Sequence, residues 1–380
     1  MKPLRIAFLS PFHPLKGGIA KFSDLLLPAL VRRGYDLIPI PFKALYPGFL
    51  ERSTPPSSGS SSVAGPENGI VLYNPFSWFG TLRLIRSKQP DILLMAYWTG
   101  FLAPLYFMLH ALTRRKCVIL LHNYSSHESW FFEPFMRRLI ARFPDAFITL
   151  SGPVAREVEM AVPDKPVLRL FHPVYEPAGD TISRGDARKE LGIASDASVL
   201  LFFGYVRRYK GLDILLDAMP SILEKDPSLR LVVAGQFFDD PAPYREMIER
   251  PGISGNVILH EGYVPGEKTG LYFAAADAVV LPYRSATQSG VVQLACGYGV
   301  PVITTPVGAL PDMVLHGRTG WIARDSSPEG VASAVGEFLS DRRGPEAMKK
   351  EIEAFSRGFS WDTFARTAGE FLETIVRCAE

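Results

Sequence analysis

One pattern constrains the fold of this 380-residue chain more than any other, and it occurs twice: an apolar run, a glycine-bearing loop, a helix, another apolar run. In the first half Arg5–Ser10 reads as a strand, 13–18 as the loop, 19–33 as a helix closed by Gly34, and 36–40 as the next strand. Such β-loop-α-β units build a parallel, doubly wound sheet. Further strands are expected at 92–97, 118–121, 146–150 and 167–170, with helical stretches between them. Residues 51–69 are rich in Ser, Gly and Pro and read as a long surface loop.

After His172-Pro173 the chain turns polar through Gly192, which reads as a linker, and then the pattern restarts. Strand 199–203 leads through loop 204–211 into helix 212–224, with strands at 229–235 and 256–260. Helix 268–275 precedes strand 278–281, and helix 290–297 precedes strand 301–304. Two complete runs of similar size imply an α/β protein of two Rossmann-like domains, 1–172 and 173–358. With 47% hydrophobic residues the chain can fill both cores. The last segment, 359–380, reads as an amphipathic helix carrying Trp361, Phe364, Phe371, Leu372 and Ile375, placed to pack back on the first domain. Open α/β sheets bind ligands at the carboxyl ends of their strands, so a cleft between two facing domains is the expected site.

The net charge of +2 conceals an asymmetry. Up to His172 there are 20 Lys/Arg against 11 Asp/Glu, about +9; after it 21 against 28, about −7. A basic first half points to an anionic partner. A phospholipid surface or a lipid-phosphate acceptor fits better than nucleic acid, since no nucleic-acid-reading motif occurs. Residues 92–112 contain no Asp, Glu, Lys or Arg, and Arg114, Arg115 and Lys116 follow. That length could span a bilayer, yet Gly100 and Pro104 interrupt it, which favours a buried strand, a turn and an apolar helix. Arg137, Arg138 and Arg142 share a helix with Phe132, Phe135, Leu139 and Ile140. Cations beside apolar side chains suit peripheral contact with an anionic membrane, although ordinary core-and-rim helices share the pattern. Cys117, Cys296 and Cys378 lie far apart in no metal-ligand spacing, which suits a reducing compartment. The opening MKPLRIAFLS runs straight into a strand, without the look of a signal peptide. A cytoplasmic protein, at the inner face of the membrane, is expected.

Four stretches could carry chemistry. The loop after strand 199–203, Gly204-Tyr205-Val206-Arg207-Arg208-Tyr209-Lys210-Gly211, places two arginines and a lysine at a strand's carboxyl end. Such cations suit a diphosphate leaving group. In Pro282-Tyr283-Arg284-Ser285-Ala286-Thr287-Gln288-Ser289-Gly290-Val291-Val292-Gln293, either Thr287 or Ser289 can cap the following helix. The free N–H groups around Gly290–Val292 would then suit an anion. Gly17-Gly18 would let backbone approach a ligand, as would any tight turn. His122, in Leu121-His122-Asn123-Tyr124-Ser125-Ser126-His127-Glu128, can hydrogen-bond a sugar hydroxyl or shuttle a proton, and Asn123 and His127 are acceptor-side candidates. Neither a Walker-type loop nor a full GxGxxG occurs, and no clustered ligands for a divalent ion, so neither a metal nor another cofactor is expected.

Together these residues resemble glycosyltransferase family 4, the group 1 glycosyltransferases, over nearly the whole chain. The resemblance rests on GGIAKF, HNYSSHE, FFGYVRRYKGLDILLDA, LHEGYVP, AAADAVVLPY and GVPVITTPVGALPDMVLHGRTGWIA. It implies the GT-B fold: two Rossmann-like domains facing across a cleft, the donor nucleotide-sugar on the second and the acceptor on the first. It further implies transfer with retention and without a bound metal. By the resemblance Arg207 or Arg208, with Lys210, matches the family's diphosphate-binding pair, with Arg207 preferred. His122 matches the histidine near the donor sugar, and Gly18 the glycine loop near the phosphates. The family usually has two glutamates eight positions apart after Pro282; here SATQSGVVQLACGYG contains no acidic residue. One count places Leu294 at the second position, another Thr287 or Gln288 near the first; Gln293 is a further uncharged polar candidate. The donor site would comprise Gly17, Gly18, Arg207, Lys210, Thr287, Gln288, Ser289, Gly290 and Val291. The reading is a retaining transferase that uses a UDP-, GDP- or ADP-sugar in polysaccharide, lipopolysaccharide or glycolipid assembly. A silent nucleotide-sugar-binding subunit is the alternative that the missing glutamates favour. A sugar-nucleotide epimerase of the same fold is disfavoured by the cationic loop.

Overall fold

A computed structural model describes residues 2–15, 17–45, 69–124, 132–177 and 182–378. Two compact units result: one of residues 1–172 with 360–380, the other of 173–359.

The first unit opens with β1 (Arg5–Ser10), α1 (Gly18–Arg32), β2 (Asp36–Ala44), β3 (Ile70–Val71) and α2 (Pro75–Lys88). It continues with β4 (Ile92–Tyr97), α3 (Ala103–Thr113), β5 (Lys116–Leu121), α4 (Glu133–Arg142), β6 (Ala146–Thr149), α5 (Gly152–Ala161) and β7 (Val167–Arg169). All seven strands are parallel, in the order β3-β2-β1-β4-β5-β6-β7. Central strands covered on both faces need unbroken apolar runs, and β4 (ILLMAY) is buried at every position. The reversal of order between β1 and β4 is the doubly wound topology, whose ligand edge is the carboxyl one.

The second unit contains α6 (Arg184–Glu190), β8 (Val199–Phe203), α7 (Leu212–Leu223), β9 (Arg230–Gly235), α8 (Ala242–Ile248), β10 (Val257–Glu261) and α9 (Thr269–Ala275). Then come β11 (Ala278–Leu281), α10 (Gly290–Tyr298), β12 (Val302–Thr304), β13 (Gly320–Ile322), α11 (Pro328–Ser340) and α12 (Pro345–Ser356). Its six parallel strands run β10-β9-β8-β11-β12-β13.

The final helix, α13 (Trp361–Arg377), belongs to the first unit and packs on α1. Its buried residues, Trp361, Phe364, Ala365, Ala368, Leu372 and Ile375, recur at helical spacing on one face. Gly369 is required there, because a Cβ would stand 2.3 Å from the Tyr35 ring. Ser360 caps the helix, Arg33 pairs with Asp362, and the Tyr35 hydroxyl donates to Glu373 at 3.1 Å.

The structure changes several expectations. Strand 36–40 continues to Ala44, and β3, β13, α11 and α12 were not foreseen. The stretch 92–112 is β4, a 3-10 turn at Gly100–Leu102 and most of α3. No helix among the described residues is long and apolar enough to cross a membrane. The loop expected at 51–69 lies outside the described residues except for Gly69.

The stretch 173–192 is more than a linker. Ser183 caps α6, and Arg188 on that helix is 1% exposed. Its guanidinium donates to the carbonyls of Ala275 (3.2 Å), Ser195 (2.7 Å) and Ala197 (2.8 Å) and to Asp277 Oδ2 at 2.7 Å. Asp277 also accepts from the Val199 amide (2.8 Å) and pairs with Arg184 (2.5 Å), tying α6 to the starts of β8 and β11. Removing one partner of a buried pair strands the other charge, so Asp277→Ala should cost about 3–5 kcal/mol. Urea unfolding followed by circular dichroism measures it; a loss below about 1 kcal/mol would contradict this role for the pair.

Candidate functional site

The cationic loop of the second unit is shaped by backbone that only glycine permits. Strand β8 ends at Gly204, whose φ is 95°, and α7 begins after Gly211, whose φ is 68°. A Cβ on Gly211 would lie 2.0 Å from the Pro282 carbonyl oxygen, so the loops after β8 and β11 touch backbone to backbone. Arg284 reinforces that contact: it donates to both Asp213 oxygens, at 2.7 and 2.6 Å, and to the Arg208 carbonyl at 2.9 Å. Its own amide donates to the Tyr209 carbonyl at 2.7 Å. Burial pushes the Asp213 carboxyl up, but the hydrogen bonds and charge of Arg284 outweigh it and hold the group below its usual range.

Inside this frame Lys210 is 9% exposed. Its ammonium stands 5.6 Å from the Tyr283 ring centroid and pairs with no carboxylate among the described residues. Measured from a Cβ built on Gly204, Nζ lies at 3.8 Å and Val291 Cγ2 at 3.6 Å, so the ammonium sits beside the first turn of α10. Burial, and then the charge of Arg207, lower the Lys210 pKa to about 8. Arg207 lies with Cζ 4.1 Å above the Phe238 ring, a cation–π contact. Arg208 is aligned differently, its amide on Asp239 and its carbonyl on Arg284.

Of the two possible caps of α10, Ser289 takes the position: its hydroxyl accepts from the Val291 amide at 3.3 Å and lies 3.2 Å from the Tyr283 hydroxyl. The first turn of α10, where the helix N–H groups are free, therefore lies near the Lys210 ammonium. Thr287 and Gln288 precede it, half-buried, and Gln288 Oε1 is buried without a hydrogen-bond partner. Gln293, one turn into α10 and 2% exposed, has an unpartnered Oε1 as well.

In the first unit His122 follows β5, its amide on the Tyr97 carbonyl at 2.9 Å. It is 4% exposed, and its ring meets Phe22 of α1 edge-on at 5.0 Å. Phe22 also contacts His172 (5.2 Å), Trp361 (5.1 Å) and Phe364 (5.6 Å), so α13 helps to hold the histidine. Burial, and next the charge of His172, lower the His122 pKa to about 3. The imidazole is thus neutral near pH 7, which suits hydrogen bonding and not proton shuttling. Its Nε2 is buried without a partner, as are Thr149 Oγ1 and Ser151 Oγ at the end of neighbouring β6. Asn123 is half-buried beside it, and His127 lies outside the described residues.

Gly17, at φ 129°, is the N-cap of α1 and Gly18 its first residue. A Cβ on either would meet nothing within 4 Å, so no neighbouring backbone forces them to be small. The structure thus gathers Arg207, Lys210, Ser289, Gly290 and Val291 at one place in the second unit. His122, Gly17 and Gly18 lie on the carboxyl edge of the first. The Asp213–Arg284 clamp and Tyr283 were missed in the sequence; nothing in their spacing marks side chains that meet only through two loops. No group of three or more His, Cys, Asp or Glu among the described residues could hold a metal ion.

Comparison with known proteins matches residues 16–169 to "Glycosyltransferase Family 4" and 197–341 to "Glycosyl transferases group 1". A D-inositol 3-phosphate glycosyltransferase of Actinosynnema mirum is 29% identical over 395 aligned positions, covering 91% of this chain and 89% of that protein. One from Streptomyces griseus subsp. griseus is 32% identical over 202 residues, 51% of this chain and 43% of that protein. The chain matches about half the length of most of these relatives. Among solved structures, HepE of Anabaena in complex with UDP aligns at TM-score 0.72 and 16% identity, over 98% of this chain and 100% of that one. The two parallel sheets are those of the GT-B fold.

Proton NMR tests the His122 environment directly. Its ring resonances should not titrate between pH 8 and pH 5, because protonation requires acidity near pH 3. A midpoint near 6.5 would show that the imidazole is solvated instead.

Proposed function

We propose that this chain, which belongs to the group 1, family 4 glycosyltransferases, transfers a sugar from a UDP-, GDP- or ADP-sugar to a glycan or glycolipid acceptor with retention. The observation that carries the donor assignment is the buried Lys210 ammonium, unpaired by any carboxylate among the described residues, near the first turn of α10. A buried cation without a counter-charge is costly, and a diphosphate would supply two or more negative charges there. In transfer the leaving diphosphate gains charge, which Lys210, Arg207 and the α10 N–H groups would stabilise without reorganising. Gln288 and Gln293 offer unpaired amide oxygens to sugar or ribose hydroxyls, in the segment where the family usually carries two glutamates. Neutral His122 would hydrogen-bond a sugar hydroxyl through Nε2, and Gly17 and Gly18 leave open backbone for phosphate oxygens.

HepE, of the same fold, is known in complex with UDP and with UDP-glucose, and WaaG is a glycosyltransferase of lipopolysaccharide biosynthesis. These parallels support a nucleotide-sugar donor and a role in polysaccharide, lipopolysaccharide or glycolipid assembly at the cytoplasmic side of a membrane. The absence of any acidic residue from Ser285 to Gly299 favours a second reading, a silent nucleotide-sugar-binding subunit. Donor turnover measured with and without candidate acceptors separates them: binding with no turnover under any acceptor supports the silent subunit.

Isothermal titration with UDP, GDP and ADP tests the donor site. Lys210→Ala and Arg207→Ala should each weaken the preferred nucleotide by about 1.5–3 kcal/mol, roughly 10- to 150-fold. The free site needs the ammonium form, so affinity should fall as pH rises through about 8. That alkaline loss should vanish in Lys210→Ala. Unchanged affinity in both variants, with the fold intact by circular dichroism, would refute the phosphate assignment.

A further inference from the structure

Large apolar side chains exposed to solvent are concentrated in one region. Of twelve such residues among those described, ten belong to the first unit. Eight of the ten fall between Tyr73 and Phe135, on or beside α2, α3 and α4. These helices are neighbours, α2 packing on α3 and α3 on α4, and their inner residues fill one core layer against the sheet. Right-handed crossovers put α2, α3 and α4 on the same sheet face, with their N-termini at the carboxyl edge.

The outward residues follow a common order. On α2 they are Phe76 (84% exposed), Phe79, Arg83 and Arg86, spaced as one helical stripe. At α4 they are Phe132 (62%), the residue before the helix, then Phe135 (63%), Arg138 and Arg142. Between them, Phe101 in the turn before α3 and Phe107 on it are exposed, and exposed Arg114 ends the helix. Aromatic rings therefore form a band near the carboxyl edge of the sheet, and guanidinium groups a second band about 10 Å further along the helices. Arg86 donates to the Leu112 carbonyl at 3.0 Å, binding the cationic ends of α2 and α3 together. Within the three helices the sole acidic residue is Glu133.

Core packing does not account for the aromatic band, whose rings are 45–84% exposed, although Phe107 also meets Phe143 edge-on. We infer that this face docks on the surface of an anionic bilayer, the aromatic band entering the interface and the arginine band meeting lipid phosphates. The charge of about +9 in residues 1–172 complements such a surface over a longer range. A second protein copy would bring the same arginines against each other, which is why lipid and not self-association is the occupant. Docked this way, the carboxyl edge bearing His122 lies beside the lipid.

The full chain is sedimented with vesicles of phosphatidylglycerol and phosphatidylcholine, and with phosphatidylcholine alone. It should pellet with the anionic vesicles at low salt, much less at high salt, and not with the neutral ones. Phe76→Ser with Phe79→Ser should lower the partition, and Arg138→Gln with Arg142→Gln should lower it about 25-fold, at roughly fivefold per charge. Protein that stays in the supernatant with anionic vesicles at low salt would overturn the inference, as would variants that bind like the unaltered chain. A dimer abolished by the Phe76 and Phe79 substitutions, with no vesicle binding, would assign the face to a second copy and overturn it too. Nucleoside-diphosphate affinity on the same samples reads the transferase proposal separately, so either can fail alone.

Discussion

The second unit is organised around a charge held where water scarcely reaches it. Lys210 remains at 9% exposure because its backbone is trapped between Gly204 and Gly211, and Gly211 rests directly on the Pro282 carbonyl. Desolvation works against the ammonium, as the pKa of about 8 records. The Tyr283 ring face and the Asp213–Arg284 pair do not cancel that cost. They fix the geometry in which it persists. Arg284 reaches both loops at once, so one guanidinium keeps the Lys210 ammonium and the start of α10 in register. A site strained by like charges is preorganised for an anion, because the ligand's arrival relieves an existing cost and no loop need be ordered.

Much of this architecture was legible because it follows from backbone chemistry of short range. Central strands such as β4 and β8 are buried on both faces, so their apolar runs mark them with no neighbour known. The glycine-bounded loops announced themselves through Gly204, Gly211 and Gly290. What remained hidden depends on contacts distant in sequence. Arg188 sits in a polar stretch that reads as a linker, yet its ligands come from positions 195, 197, 275 and 277. Strand β13 is three residues long and offers no periodicity of its own. The cap of α10 was open between Thr287 and Ser289 because both residue types accept an amide; the fold brings Ser289 into reach.

Arg188 also shows how one buried side chain can replace a run of apolar ones. Helix α6 has seven residues, too short to be stable alone, and only Ala187 and Arg188 are buried on it. The guanidinium donates to three carbonyls and shares the Asp277 carboxylate with Arg184 and the Val199 amide. The helix is therefore held by polar saturation at its root, while the first unit's α13 is held by an apolar stripe. Two helices that flank the sheets thus use opposite means, each matched to the number of turns available.

The two units differ in the electrical character of their ligand edges as sharply as in net charge. Around neutral pH Lys210 is largely charged and His122 is neutral, one pKa near 8 and the other near 3. Burial lowers both, but it leaves a cation in one unit and an uncharged donor–acceptor in the other, because lysine starts four units higher. Under the proposed donor assignment, recognition in the second unit would be dominated by charge and should depend on ionic strength and alkaline pH. At His122 it would depend on hydrogen-bond geometry, with Phe22, itself packed on Trp361 and Phe364, edge-on to the ring. An uncharged imidazole would discriminate among hydroxyl positions without attracting every anion, a separation of tasks that one set of cations could not achieve. Cations of the first unit stand instead on surface helices, Arg83, Arg86 and Lys88 on α2 and Arg137, Arg138 and Arg142 on α4.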